Sequence, residues 1–160
     1  MNSDRNVILE NDVKQFDKLL AKLITEAEAK CALLVDKDGH LITRQGFTNT
    51  LDTTALGALL AGSFASTKEI ARLVGEAEFS VLFHQGKKDH IHINLVGEHT
   101  ILVVIFDDRT TIGMVRLYAK EVSGKLIVVL EKPSEEKPQD KLDADFASQA
   151  ESKLDDLFKE

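Results

Sequence analysis

The run Thr100–Phe106, TILVVIF, is the part of the chain that most restricts its fold. It has the length and β-branched content of a strand and carries no polar face. Such a strand must be covered on both sides, so it belongs at the centre of a sheet with helices above and below. Two further runs precede it, FSVLFH from Phe79 and HIHINLVG from His90, joined by QGKKD and followed by GEH. Each connection is short enough for a hairpin, which predicts a three-stranded meander. The middle run alternates, with Ile91, Ile93 and Leu95 on one face and His90, His92 and Asn94 on the other. Upstream, CALLVD and LITRQG flank the Asp-Gly turn of KDGH and read as a second hairpin.

Three helical patterns surround these strands. Between about Asn11 and Ala29, Val13, Phe16, Leu19, Leu20, Leu23, Ile24 and Ala27 recur at three- and four-residue spacing. Asp52 stands as an N-cap before Thr53, and Gly75 ends the helix that Thr53–Val74 predicts. A last helix, Thr110 to Glu131, carries Ile112, Val115, Leu117, Val122, Leu126 and Val129 and stops before Pro133. The order is α, two strands, α, three strands, α. A five-stranded antiparallel sheet with the middle helix on one face and the terminal helices on the other satisfies it, a three-layer α+β sandwich.

The helix Thr53–Val74 has an unusual face. Ala58, Ala61, Gly62 and Ala65, with Glu69 and Arg72, lie to one side, while Leu56, Leu60, Phe64, Ile70 and Val74 lie broadly opposite. The second set suits a core. The first leaves a shallow groove that another backbone can approach with little loss of side-chain entropy.

Composition narrows the function. The chain has 160 residues, 43% hydrophobic and 29% charged, with a net charge of −7. That charge argues against nucleic acid or an anionic membrane as main partner. Neither a signal peptide nor a membrane-length apolar run is evident, so the expected compartment is the cytoplasm. One domain to about residue 132 is followed by an acidic tail, 133–160, in which nine acids and four lysines leave a balance of −5. Pro133 and Pro138 open this tail and suit a flexible linker. Near its end, Ser152 precedes a short amphipathic stretch over 152–159 with Leu154, Leu157 and Phe158 on one side, a candidate docking helix.

Catalytic motifs are missing. In DKDG, at 36–39, the twelfth position of a calcium loop would be Phe47, so the segment reads as a turn. His84, His90, His92 and His99 lack a nearby cysteine or His-Glu motif and read as surface histidines rather than metal ligands. GALLAG lies inside a helix and lacks the phosphate-loop ending, no G-x-S-x-G elbow occurs, and Cys31 sits in an apolar strand as a small hydrophobe. No cofactor and no metal are expected, and a binding or regulatory role is favoured over that of an enzyme.

The segments LLVDKDGHLI, LDTTALGALLAG, EIARLVGEAEF, LFHQGKKD and LVVIFDDRTTIGMVRL resemble the roadblock/LC7 family over about Val13 to Val122, as does the tail ending KLDDLFKE. The resemblance implies a profilin-like αββαβββα fold and a homodimer whose sheets join through the third strand with the second helices side by side. It implies a small Ras-like GTPase bound by two copies of the chain, activation of GTP hydrolysis without an arginine finger, and work in cell polarity and gliding motility, at a cell pole through partners. On that basis Ala58, Ala61, Gly62, Ala65, Glu69 and Arg72 are the expected GTPase platform. Leu59, Ser66 and Leu73 are the expected dimer contact, and Leu154, Leu157 and Phe158 the tail contact. Lys68 and Glu69 place charges where smaller residues would suit close packing, so the face would be tuned to a particular GTPase surface. A roadblock scaffold that recruits a GTPase or motility component without stimulating it needs the same surface, and a profilin-like ligand-binding module would need a polar pocket.

Overall fold

A computed structural model describes residues 10–131. The elements are α1 (Glu10–Ala27), β1 (Cys31–Asp36), β2 (Leu41–Gly46), α2 (Thr53–Val74), β3 (Val81–Gln85), β4 (His90–Val96), β5 (Thr100–Phe106) and α3 (Ile112–Leu130). All strand pairs are antiparallel, and the sheet order is β2-β1-β5-β4-β3. The tail and its expected docking residues Leu154, Leu157 and Phe158 lie outside the described residues.

The strand β5 is central and wholly buried, as its apolar run demands. It pairs with β1 from Cys31 opposite Ile105 to Asp36 opposite Thr100, and with β4 from His90 opposite Phe106 to Val96 opposite Thr100. Its side chains divide by the two-residue period of a strand. Leu102, Val104 and Phe106 join Phe16, Leu20 and Leu126 in the core beneath α1 and α3. Ile101, Val103 and Ile105 join Leu33, Leu60 and Phe64 beneath α2. Phe16, Leu20 and Leu23 are fully buried, and each stabilises the fold by about 1.5–3 kcal/mol relative to exposure.

The helix ends follow the expected caps. The Asp52 carboxylate accepts from the Ala55 amide at 3.0 Å, and Gly75 stops α2 in the left-handed conformation at φ 83°. The helix α3 begins at Ile112 rather than Thr110, with the Thr111 hydroxyl accepting from the Met114 amide at 3.2 Å.

His92 departs from its reading as a surface histidine, being only 2% exposed. The polar face of β4 turns toward the α1/α3 layer and is satisfied there. Asn94 Nδ2 donates to the Leu95 carbonyl and, at 2.8 Å, to Ser123 Oγ on α3, so its Oδ1 accepts from His92 Nε2 at 3.1 Å. His92 Nδ1 then has no partner among the described residues, and burial holds the imidazole below its ordinary pKa.

Candidate functional site

The exposed side of α2 is the principal candidate. Burial along this helix is concentrated in its first half, at Thr53, Gly57, Leu60, Ala61 and Phe64, and thereafter falls only on Ala71. Two glycines lie where the first half comes close. A Cβ added at Gly57 would stand 3.5 Å from the Val35 methyls, an ordinary contact. Gly39, at φ +97° in the β1–β2 turn, lies so near Ala58 that an added Cβ would come within 3.1 Å of its Cα.

This seating corrects the expected rotation of the helix. Ala61 belongs to the core at 5% exposure and does not lie on the open face, because it packs with Phe64, Val103 and Ile105. Ile70 and Val74, expected to face the sheet, are exposed at 51% and 64%. The remaining platform residues Ala58, Gly62, Ala65, Glu69 and Arg72 are exposed, and so are Leu59, Ser66 and Leu73. Leu59, Ser66, Ile70 and Leu73 form one outward stripe, and Ala58, Ala65 and Glu69 lie roughly 100° round the axis from it. Leu59 and Leu73 are among the most exposed large apolar side chains described, at 71% and 76%.

Polarity on this surface is muted. Ser63 and Ser66 donate to the carbonyls of Leu59 and Gly62 at 3.0 and 3.1 Å, and Thr67 to that of Phe64 at 2.7 Å. These hydroxyls are turned onto their own helix, leaving carbon outward. Arg72 Nε donates to Glu69 Oε2 at 3.1 Å, a pair more than 70% exposed on both sides and therefore weak.

The flank bearing Ala65 and Lys68 borders a cavity of about 290 Å³ shared with Lys37, Phe79, Glu98 and His99. Its mixed lining offers a niche beside the small-residue face, one that sequence periodicity did not indicate. Next to α2 in sequence, β3 occupies one edge of the sheet, with Val81 exposed at 43%. Elsewhere, Asp36, Asp38 and His40 bring ligand atoms within 4.8 Å of one another. Asp36 Oδ1 already accepts the amides of Asp38 and His40 at 2.9 and 3.0 Å, the geometry of the turn read from the sequence.

An exposed apolar helix face on a small sandwich, in a sheet that ends in an edge strand, is a surface suited to contact with other macromolecules. The chain belongs to the Roadblock/LC7 domain family, which matches residues 15–106. Among solved structures it resembles MglB of Myxococcus xanthus at 41% identity, covering 79% of this chain and 95% of that one, with a TM-score of 0.74. The gliding protein MglB of Thermus thermophilus is 29% identical over 81% of this chain and 98% of that one, also at 0.74. Profilin II of Acanthamoeba castellanii shares the fold alone, at 14% identity, 70% and 96% coverage and a TM-score of 0.55. No described helix is long and apolar enough to cross a membrane.

Proposed function

We propose that this chain is a homodimeric regulator that binds a small Ras-like GTPase of the MglA type and accelerates its GTP hydrolysis. MglB is a GTPase-activating protein of MglA, and 41% identity to it across nearly its whole length is the observation that carries the reading. The exposed side of α2 supplies the surface. Leu59, Ser66 and Leu73 suit contact between the α2 helices of two copies, with the open edge of β3 extending the sheet. Ala58, Gly62, Ala65 and Glu69 from both copies then form the platform, and Ala61 supports it from the core.

GTP hydrolysis is catalysed largely by positioning and charge, so a partner that favours the reactive arrangement of the GTPase raises the rate from outside the site. Arg72 is the arginine of this face and is engaged by Glu69. Single-turnover GTP hydrolysis by an MglA-type GTPase, with and without the full chain, tests the proposal. Stimulation is expected, and Arg72→Ala should retain it. Binding without stimulation would identify a recruiting scaffold instead, and a loss beyond about a hundredfold in Arg72→Ala would make that residue a finger.

A further inference from the structure

The cavity beside α2 combines an apolar floor with charges of both signs. Ala61 and Phe64 of α2 supply the floor with Leu95 and Ile101 of the sheet, all four within or packed against the apolar cluster beneath this helix. The connection from α2 to β3 adds Phe79. The cavity holds about 290 Å³, the share of liquid that about ten waters take up. That lies just below the range of about 300–1,000 Å³ used by drug-sized ligands, so it fits a small metabolite.

The rim is built from separate turns that are tied together. Lys37 in the β1–β2 turn donates its amide to the His99 carbonyl in the β4–β5 turn at 2.8 Å. The Thr67 hydroxyl is turned onto the Phe64 carbonyl, so the polar character of the lining rests on its ionisable groups. Lys37 and Lys68 bring two positive charges and Glu78 and Glu98 two negative ones, all four exposed. Glu98 lies 3.9 Å from His99 Nε2. No ion pair among the described residues engages Lys37, Lys68 or Glu78. The charges balance without being spent on one another.

We propose that this cavity binds a free α-amino acid with an apolar side chain of leucine or phenylalanine size. Its side chain lies on the floor, its carboxylate faces the lysines and its ammonium faces the glutamates. An apolar anion would meet the glutamates as like charges, and an apolar amine the lysines, so a rim of both signs selects against each. An inserted side chain of a partner protein would fill the floor and leave the rim charges without opposites. Binding needs neither a GTPase nor a second copy of the chain, so it stands or falls apart from the function proposed above.

Isothermal titration calorimetry of the full chain with leucine, isoleucine, methionine and phenylalanine tests the proposal. Saturable binding of at least one, with Kd in the range of about 10 µM to 1 mM, is expected. Two leucine analogues, isocaproate without the ammonium and isoamylamine without the carboxylate, should each bind at least about tenfold more weakly. At least one of Lys37→Met and Lys68→Met, and at least one of Glu78→Gln and Glu98→Gln, should weaken binding by about fivefold or more. These positions are exposed, and circular dichroism checks the folding of the variants. Lys120→Met on α3 should leave the affinity unchanged. Amide shifts in nuclear magnetic resonance spectra should centre on the β4–β5 turn and the second half of α2. Absence of saturable binding to about 10 mM, an analogue that binds as well as leucine, or no loss in either lysine variant or in either glutamate variant overturns the proposal. So do amide shifts confined to another part of the fold. A leucine peptide blocked at both ends that binds more tightly than free leucine assigns the cavity to a polypeptide side chain and equally overturns it.

Discussion

The rotation of α2 separates two alanines four residues apart, and placing arginine at each tests it. Ala61 is 5% exposed and packed with Phe64, Val103 and Ile105. Arginine there must displace these side chains or run along the adjoining cavity, which Ala61 also lines, a cost of about 1–3 kcal/mol. For a domain of this size each kcal/mol moves the melting temperature by about 3–5 °C, so Ala61→Arg should melt roughly 3–15 °C below the parent. Ala65 is exposed on the same helix, and arginine is a good helix former. Ala65→Arg should therefore cost no more than a few tenths of a kcal/mol, about 1 °C. Its effect falls on association instead, since a long cation on a face of small residues blocks close approach, and GTPase affinity should drop by at least about a hundredfold. Differential scanning fluorimetry and a nucleotide-loaded GTPase binding assay read the two quantities. Equal melting temperatures for the two variants would refute the rotation, and a stable Ala65→Arg with intact affinity would refute the platform.

Further outcomes follow from single residues. An added Cβ at Gly62 meets nothing within 4 Å, so Gly62→Ala should raise helix stability by about 0.5–1 kcal/mol in thermal unfolding while weakening GTPase binding. If both quantities rise, the backbone at Gly62 is not approached closely. Burial, opposed by the Asn94 hydrogen bond, depresses the His92 pKa below its ordinary 6.5. The folded state thus favours the neutral ring, and the stability His92 contributes is complete above pH 6.5 and lost as pH falls through the lower folded value. His92→Gln should flatten that limb of a pH–stability curve measured by urea unfolding, and an unchanged slope would refute the assignment. Burial pushes the Cys31 thiol up to about 11, so at pH 8 only about one thiol in a thousand is ionised. Ellman's reagent should label the native protein at least about a hundredfold more slowly than the denatured one.

How far the fold could be read in advance depended on how one-sided each pattern was. TILVVIF has no polar face and could only be central, and Asp52 and Gly75 bracket α2 with side-chain and backbone chemistry that is local. Pairing of β1 with β5 joins segments far apart in the chain, and no local signal sets it. His92 and Asn94 alternate with isoleucine and leucine as surface residues would, yet they are buried, with Asn94 bonded to Ser123 from a helix some thirty residues further on and His92 bonded in turn to Asn94. The candidate site was legible as small residues at helical spacing, but its boundary was not. An apolar residue occurs on every side of α2, so periodicity alone leaves the rotation open, and Ala61, Ile70 and Val74 fell on the wrong side.

Close approach and apolar burial set the rotation together. Gly39, where an added Cβ would come within 3.1 Å of the Ala58 Cα, lets the first half of α2 lie close to the β1–β2 turn, while Gly57 faces Val35 of β1. Leu60, Ala61 and Phe64 then follow inward by the helical period, and Leu59 is forced out. Beyond Phe64 the helix buries only Ala71, the cavity lies beside Ala65 and Lys68, and Ile70, Leu73 and Val74 are left in solvent. Leaving apolar side chains of that size outside works against solubility and adds nothing to the fold of a single chain. Exposure of this kind, on a helix seated through Leu60, Ala61 and Phe64 on its inner side, is what a surface kept for association requires.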